Sequence, residues 1–392
     1  MKSDKTTPNV PTLRFPNYNG EWQKTVMGKV CSFRKGYGIA KDDLSSDGTP
    51  CILYGELYTT YKTAIAKTIK SKTSIQSKSL VYSQKDDVII PCSGETAEDI
   101  ATSICVPYDG VLLGGDLTIV HSDLDGAFLS NQINSVRKYD IARIAQGKSI
   151  VHLQADELKK IFIFYPSIQE QRKISAFIDK IDERIEIQNK IIEDLKVLKK
   201  ELCNRAFSKG SAVRLGELIE EVTVRNKSNA CDNVLSVSNK MGFIKQSEQF
   251  EDRTIASENK SSYKVVTKGC FAYNPARINV GSIALLSSHS MGIISPMYVC
   301  FKAKNVLDST YLSFYYQSDF FARELQKKLE GSVRQCLTYE NMREIIIPYV
   351  NIERQREIAT TLNRFTMLIA TEEKCLKALQ KQKSYFLNAM FI

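Results

Sequence analysis

Two stretches of the chain place apolar residues at steps that alternate between four and three positions, with charged residues between them. This spacing is that of a coiled-coil seam. Neither stretch contains proline or glycine, and about 38 helical residues at 1.5 Å per residue span about 57 Å. The pattern therefore predicts two long helices, one in the middle of the chain and one at its end. The predicted seam residues are Ile174, Ile178, Ile181, Ile185, Ile192 and Leu195 in the first helix and Ile358, Leu362, Phe365, Ile369, Leu376 and Leu379 in the second.

Both predicted helices open on related phrases, IQEQRKI at 168–174 and IERQREI at 352–358. The similarity runs on at an offset of 184 residues, and polar residues interrupt both seams at matching places, Gln188 with Glu372 and Lys199 with Lys383. Upstream, LDGAFLS matches LDSTYLS and VMGKV resembles RLGEL. The chain is therefore predicted to be two copies of one unit, each a variable body followed by a similar helical tail.

The start of each helix carries a capping signal. Ser167 and Asn351 occupy matching places as N-caps, and Ser167 with Glu170 has the spacing of a capping box.

The bodies are predicted to be mixed, with more strand than helix. Strand-length apolar runs such as 85–92, 160–165 and 297–302 are broken by Gly-, Asp- and Ser-rich turns, and short helices fit at 97–104 and 311–329. The predicted fold class is α+β: two similar strand-rich domains separated by two long antiparallel coiled-coil helices, with an internal pseudo-twofold repeat. The alternative is that each helix packs on its own domain. The predicted division is 1–166 and 209–350 for the bodies, with helices at 167–208 and 351–392.

Composition narrows the function classes. The chain has 392 residues and a net charge of +10, which favours polyanionic partners such as nucleic acid. No apolar run approaches the ~18–20 residues of a membrane span, and the first 20 residues do not look like a secretory signal. We therefore expect a cytoplasmic protein without a membrane partner. The 10 cysteines are unclustered and only 3 histidines exist, so reduced thiols are expected and a metal site is not.

Catalytic signatures are weak. ARIAQGKS (142–149) loosely fits a phosphate loop, but the predicted helix before it and extended segment after it reverse the required order. YNPAR (273–277) lacks the second proline and the aromatic residue of an amino-methyltransferase loop. We expect no catalytic residue in this chain.

Two similar bodies on a rigid spacer suit a target that itself has two parts, as in DNA recognition by twofold proteins. Each body carries clusters of basic, amide and tyrosine residues that are suited to phosphates and base edges. For any single member, a solvated loop charge or a half-buried tyrosine is the competing interpretation. The candidate DNA-binding residues are Arg34, Lys35, Tyr37, Lys41, Tyr54, Glu56, Tyr58, Thr59, Tyr61 and Lys62 in the first copy, and Asn239, Lys240, Lys245, Asn274, Arg277 and Asn279 in the second.

The whole chain resembles the specificity subunit of a type I DNA restriction–modification enzyme. The resemblance rests on PTLRFPNYNGEWQKTVMGKV, YGELYTTY, SGETAEDI, GGDL, NPARINVGS, GIISPMYVCFK and both IxxQRxI phrases. It implies that each body is a target recognition domain for one half of a split DNA site, and that the helices set the gap and dock modification subunits.

The same resemblance assigns the chemistry to other chains. It implies double-stranded DNA and two modification (methyltransferase) subunits as partners, with the restriction (translocase and nuclease) subunit bound indirectly. Adenine methylation and cleavage would belong to those chains, which would also hold S-adenosylmethionine, ATP and Mg²⁺, and no cofactor is expected here. The second copy departs from the first at 353–354, Glu-Arg in place of Gln-Glu.

Two other functions stay open on the sequence. One is a self-sufficient DNA methyltransferase or endonuclease, which methyl transfer by the chain alone would establish. The other is a coiled-coil scaffold without DNA function, which would survive deletion of 211–351.

Overall fold

The computed structural model describes residues 9–77, 79–147, 150–239, 241–246, 260–331 and 335–392. These residues form two compact units. The first unit comprises the described residues up to Asn189 together with Lys374–Ile392, and the second is Lys190–Glu373. Each unit therefore contains one body and a part of each long helix. The four-part division expected from the sequence stays a prediction.

The body of the first unit is built from short strands and short helices. Its described strands are β1 (Gln23–Val26), β2 (Cys31–Lys35), β3 (Leu44–Ser45), β4 (Thr49–Ile52), β5 (Ser71–Thr73), β6 (Asp87–Pro91), β7 (Ser93–Gly94), β8 (Ile104–Val106), β9 (Leu112–Leu113), β10 (Leu117–Ser122), β11 (Val151–His152) and β12 (Phe162–Tyr165). Its described helices are α1 (Met27–Val30), α2 (Glu56–Thr59), α3 (Ala97–Ile100), α4 (Gly126–Asn134), α5 (Lys138–Ile144) and α6 (Ala155–Leu158), with a 3-10 helix at Lys41–Asp43. The long helix α7 (Ile168–Ala206) follows.

The second body is built in the same way. Its described strands are β13 (Ser211–Arg214), β14 (Ile219–Glu221), β15 (Val234–Ser238), β16 (Gly242–Lys245), β17 (Lys264–Thr267), β18 (Cys270–Tyr273), β19 (Ile283–Leu285), β20 (Met291–Ile294), β21 (Val299–Ala303) and β22 (Ile346–Tyr349). Its described helices are α8 (Leu215–Leu218), α9 (Ser309–Tyr315), α10 (Asp319–Gln326) and α11 (Tyr339–Arg343), with a 3-10 helix at Pro275–Val280. The long helix α12 (Ile352–Met390) follows.

The two bodies share one sheet topology. The first has an antiparallel sheet in the order β2-β10-β6-β8, and the second has the matching order β14-β21-β18-β19. In a second, mixed sheet, β4 pairs in parallel with β9, as β15 does with β20. A two-stranded pair joins the start and end of each body, β1 with β12 and β13 with β22. The predicted repeat and the α+β class are therefore confirmed.

The central antiparallel sheet is buried on both faces, which explains its continuous apolar runs. In β6, Val88 and Ile90 pack into one cluster while Ile89 packs into another, because alternate side chains point to opposite faces. In the second body Phe271 stacks on Phe301, with ring centroids 5.2 Å apart. Cys270 and Cys300, which directly precede these two phenylalanines, are fully buried and act as small apolar residues.

The repeated glutamine of the two helix-opening phrases is a buried anchor. Gln171 Oε1 accepts from the Asp125 backbone N–H at 2.9 Å, and Gln171 Nε2 donates to the Pro166 carbonyl at 2.9 Å. Gln355 makes the same two bonds, to Asp308 N and Val350 O, each at 2.8 Å. Both amides therefore tie the first turn of a long helix to its own body.

Those amides also bond to the N-cap residue of an earlier helix in each body. Asp125 and Asp308 are themselves N-caps: Asp125 Oδ1 accepts from Phe128 N and Asp308 Oδ1 accepts from Tyr311 N. The matching phrases LDGAFLS and LDSTYLS are therefore these two caps with their helices.

The predicted caps of the long helices have different outcomes. Asn351 is confirmed as a cap, since its Oδ1 accepts from Arg354 N at 2.9 Å. The capping box at Glu170 is wrong. Both oxygens of this buried carboxylate accept from Arg14, at 2.7 and 2.8 Å, because a charged bidentate partner outcompetes a backbone N–H.

Within each unit the two long helices pack antiparallel. In the first unit the start of α7 meets the end of α12, where Phe177 contacts Phe386 with ring centroids 4.9 Å apart. In the second unit the end of α7, at Cys203, shares a core cluster with Ile358 and Leu362 from the start of α12. Helix-to-helix packing therefore adds to the packing of each helix on its body.

The seam positions are the covered face of both helices. The buried members are Ile174, Ile178, Ile181, Ile192, Ile358, Leu362, Ile369 and Leu379, and the half-buried ones are Ile185, Leu195, Phe365 and Leu376.

The short predicted helices are broken up in the structure. The helix expected at 97–104 ends at Ile100, and the chain enters β8 at Ile104. The helix expected at 311–329 divides at Ser318, whose hydroxyl accepts from Phe321 N and caps a new helix. Local capping outweighed the apolar spacing in that segment.

Candidate nucleic-acid interface

In the second body a polar concavity of about 330 Å³ opens where several strands end. The carboxyl ends of β15 and β18 and the segment after β20 form its walls. Three of the residues selected from the sequence, Asn239, Asn274 and Arg277, line it together. The structure thus brings together residues that lie up to 38 positions apart in the chain.

A capped 3-10 helix positions the basic residue of this concavity. Asn274 is buried, and its Oδ1 accepts from Ala276 N at 3.1 Å to start the helix. Gly281 ends it in the left-handed conformation, with φ of 88°. Arg277 and Asn279 are exposed on this helix. Asn274 therefore shapes the loop, while Arg277 is available to a ligand.

The remaining candidates of the second body lie on the neighbouring hairpin. Asn239 is exposed just after β15, and Lys245 is exposed at the end of β16. Lys240 lies outside the described residues. Three residues not chosen from the sequence, Gln246, Tyr263 and Met297, also line the concavity. Met297 lies within GIISPMYVCFK and Gln246 directly follows Lys245, so position near a selected stretch could have pointed to both, whereas Tyr263 is outside the selected stretches.

In the first body Arg34 is held by a buried carboxylate. Its Nη2 donates to Asp87 Oδ2 at 2.6 Å, and Asp87 also contacts His121 Nδ1 at 2.8 Å and accepts from Gln84 N. Asp87 is fully buried, so it needs these partners. The guanidinium of Arg34 is therefore engaged in the fold, and phosphate contact would have to use its remaining N–H groups.

The next candidates lie on a glycine-rich loop that crosses close to the GGDL turn. Gly36 N donates to Leu117 O at 2.9 Å, and a Cβ at Gly36 would lie 1.9 Å from the Gly114 carbonyl oxygen. Only glycine permits this approach of the loop to the GGDL turn. The crossing holds Lys35 and Tyr37 in exposed positions, and Lys41 is exposed on the following 3-10 helix.

Much of YGELYTTYK stabilises its own loop. Glu56 accepts from Leu53 N at 2.8 Å and from Ser71 Oγ at 2.7 Å, and Tyr58 OH donates to Ser93 O at 2.8 Å. Burial raises the pKa of the Tyr58 hydroxyl, so it stays protonated as a donor. Glu56 and Tyr58 therefore act within the fold.

The other residues of this segment face a groove or solvent. Tyr54 and Thr59 are exposed, and Lys62 Nζ donates to the Tyr58 carbonyl at 3.1 Å. Tyr61 and Lys62 line a groove of about 680 Å³ in the first unit. Burial, and then the nearby Glu56, raise the pKa of Tyr61 to about 12, so it is neutral at physiological pH.

Both surfaces expose polar and charged side chains. Among the described residues, no group of His, Cys, Asp and Glu side chains could hold a metal ion. None of the helices within the described ranges is long and apolar enough to cross a membrane. Exposed Lys, Arg, Asn and Tyr side chains on rigidly held loops suit phosphates and base edges.

Comparison with known proteins decides the family. The model of the type I restriction modification DNA specificity domain matches residues 19–197 and 213–381, one match in each half. The chain belongs to this family. Each match covers one body and a part of the long helix that follows it, so the sequence repeat is a duplication of this specificity domain.

Two curated relatives are similar to parts of the chain. The type I restriction enzyme MjaVIII specificity subunit of Methanocaldococcus jannaschii is 24% identical over 278 residues, 62% of this chain and 64% of that protein. A candidate type I specificity subunit of Mycoplasma pneumoniae, S.MpnORF638P, is 26% identical over 201 residues, 50% of this chain and 48% of that protein. The similarity thus spans less than two thirds of either relative.

Solved structures share the fold over nearly the whole chain. The S subunit of a type I restriction-modification system from M. genitalium has a TM-score of 0.59 at 16% identity, over 98% of this chain and 99% of that one. A chain from a structure of the type I R-M system, described for its complex assembly and conformational transition, has a TM-score of 0.56 at 16% identity, over 94% and 96%.

Proposed function

We propose that the chain is the DNA specificity subunit of a type I restriction–modification complex. In this role each body reads one half of a bipartite DNA site. The observation that carries the proposal is the duplicated specificity domain, whose two copies hold exposed basic, amide and aromatic side chains on loops of the same fold.

The exposed candidates divide by chemistry into two tasks. Lysines such as Lys35, Lys41 and Lys245 suit phosphate oxygens, which fix register without reading sequence. Arg277 and Asn239 have the donor and acceptor geometry that distinguishes base pairs in the major groove. Because the loops of the two bodies differ in sequence, the two half-sites would differ as well.

Catalysis in this proposal belongs to partner chains. Two modification subunits would dock on the helical regions and transfer methyl groups to adenine, and a restriction subunit would join through them. S-adenosylmethionine, ATP and Mg²⁺ would bind to those chains in the cytoplasm. The specificity chain would contribute no reacting group.

Reconstitution with purified components tests the proposal. Methyl transfer to DNA should need both this chain and its modification subunit, and it should occur at one bipartite motif. Omitting either component should abolish it. Methyl transfer by the purified specificity chain alone would refute the non-catalytic role, and DNA methylation without sequence preference would refute the recognition role.

A further inference from the structure

The helix pair of the second unit contains a lysine-lined cavity of about 310 Å³. Lys196, Lys199 and Lys200 of α7 line one side, and Thr366 and Ile369 of α12 line another. All of these residues belong to one unit, so the cavity is a feature of that unit alone.

The internal repeat gives this cavity a counterpart in the first unit. At the offset of 184, Lys199 corresponds to Lys383 and Thr366 corresponds to Asp182. In the first unit, Lys383 Nζ meets Asp182 Oδ1 at 2.5 Å, and their side chains are only 20% and 7% exposed. The second unit keeps the lysine and has threonine in place of the carboxylate.

Lys199 is therefore a half-buried cation whose counterpart carboxylate is missing. Its ammonium lies 5.3 Å from the centre of the Phe314 ring, and burial lowers its pKa. Among the described residues, the nearby carboxylates pair with its neighbours: Glu373 with Lys196 at 2.9 Å and Asp319 with Lys200 at 3.6 Å. Of the three cavity lysines, Lys199 is the one without a carboxylate partner among the residues that the structure describes.

The single charge of Lys199 helps to distinguish a carboxylate ligand from a nucleic acid. One carboxylate would balance Lys199, whereas a phosphodiester chain would also approach the acidic Glu373 and Asp319. A protein carboxylate is also what the first unit places against the equivalent lysine. These two observations favour an aspartate or glutamate side chain over DNA.

Four apolar side chains that are sequence neighbours of cavity-lining residues are exposed on the same two helices. Val197, Leu198, Met367 and Leu368 are 60%, 47%, 65% and 43% exposed. Exposed aliphatic side chains interspersed with charged ones are typical of protein–protein contact surfaces.

The four positions are apolar only in the second unit. The residues at the equivalent positions of the first unit are all polar: Lys381, Gln382, Glu183 and Arg184. At these four positions, exposed apolar residues thus accompany the missing carboxylate in the second copy.

We propose that the cavity around Lys199 receives the carboxylate of an acidic side chain from the modification subunit. The proposal rests on the proposed function. It adds a lysine-centred docking site that the second unit has and the first unit lacks. The two units therefore hold their modification subunits by different contacts.

Two substitutions test the site from opposite directions. Lys199→Met removes the cation and keeps an unbranched apolar side chain, while Thr366→Asp supplies the internal carboxylate that the first unit has. Each should weaken binding of the purified modification subunit to the full chain by about tenfold or more, the scale for loss of a central interface charge. Thr366→Asp should also raise the melting temperature, because it restores the ion pair.

Matched controls lie on the same helices. Lys190→Met is the same change at an exposed lysine of α7, and Thr371→Asp is the same change at an exposed threonine of α12. Thr371 donates its hydroxyl to the carbonyl four residues back at 3.0 Å, as Thr366 does. Neither control should change the affinity for the modification subunit.

The outcomes separate the site from the proposed function. Unchanged affinity in both test variants, with wild-type binding intact, would overturn the docking site and leave the specificity role standing. Weaker DNA binding with unchanged subunit binding would mark the cavity as a phosphate contact and also overturn it. Failure of the wild-type chain to bind any modification subunit would count against the proposed function itself.

Discussion

At the residue scale, the buried amide that opens each long helix is the feature that the sequence repeat preserves most clearly. Gln171 and Gln355 are both almost fully buried, and each bonds to the N-cap aspartate of its own body. A buried amide of this kind is stabilising only when all its partners remain in place. The glutamine therefore fixes where the helix leaves the body.

Replacement of one such amide should destabilise its unit. Gln355→Leu leaves the Asp308 N–H and the Val350 carbonyl without their partner, so we expect the free energy of unfolding to fall by about 2–4 kcal/mol. Chemical denaturation measures this change. Glu353→Ala, at an exposed position two residues earlier, is the control and should shift stability by less than about 0.5 kcal/mol. Equal effects of the two changes would contradict the anchor.

We propose Arg277, which is exposed and lines the concavity, as a base-reading residue of the second body. Arg277→Ala should cost about 1–3 kcal/mol of binding to the correct half-site and relax preference at one base pair. Competition binding with duplexes that vary in one half-site measures both effects. Arg323→Ala, an equal loss of charge on α10, should leave base preference unchanged. A uniform loss of affinity for every sequence would instead make Arg277 a phosphate contact.

At the element scale, the two long helices carry polar residues in their seams. Burial raises the pKa of Asp182, yet Lys383 lies beside it as a counter-ion. Such a pair is weak evidence for stability, but breaking it leaves a buried charge without a partner. Its effect is therefore visible mainly when one member is removed.

A double-mutant cycle measures this pair. Lys383→Met should lower the free energy of unfolding by about 3 kcal/mol, whereas Lys383→Met with Asp182→Leu should return to within about 1 kcal/mol of wild type. Additive losses in the double variant would show that the two side chains act independently.

The single variant should also respond to pH. The folded-state pKa of Asp182 is already raised and rises further without Lys383, so the folded chain binds the proton more tightly than the unfolded chain. The stability of Lys383→Met should therefore improve as the pH falls from about 7 to about 5 and decline again as the pH rises. A flat difference from wild type over that range would argue against a buried, ionised Asp182.

The elements could be predicted to different extents. The long helices could be predicted from the sequence because their apolar spacing, without proline or glycine, persists over 39 residues in each. Central strands such as β6 could be predicted because they are unbroken apolar runs. Strands of two or three residues, such as β9 and β19, could not, because their pairing depends on distant partners.

The candidate site was predictable as clusters and less so as individual residues. Arg34, Glu56, Tyr58 and Asn274 have the side chains of DNA contacts, yet each forms hydrogen bonds within its own body. Sequence alone does not distinguish a loop residue that binds a ligand from one that holds the loop. That distinction depends on partners such as Asp87, which lies 53 positions from Arg34.

At the scale of the whole molecule, the basic excess and the duplicated domain should give salt-dependent DNA binding. Each phosphate contact contributes a slope of about −0.9 to the dependence of log affinity on log salt concentration. Lys35→Ala should reduce this slope by about one and weaken all sequences alike. Salt titrations of the wild type and the variant measure the effect, and an unchanged slope would remove Lys35 from the interface.

The central claim is that this chain alone chooses a bipartite DNA target for partner enzymes. The most direct test is methylome sequencing of cells that express the partner subunits, with the gene present, deleted, and replaced by the Arg277→Ala form. We predict that deletion removes one bipartite adenine motif completely, and that Arg277→Ala relaxes only one half of it. If every methylated motif persisted after deletion, the assignment of this chain as the specificity subunit would be contradicted.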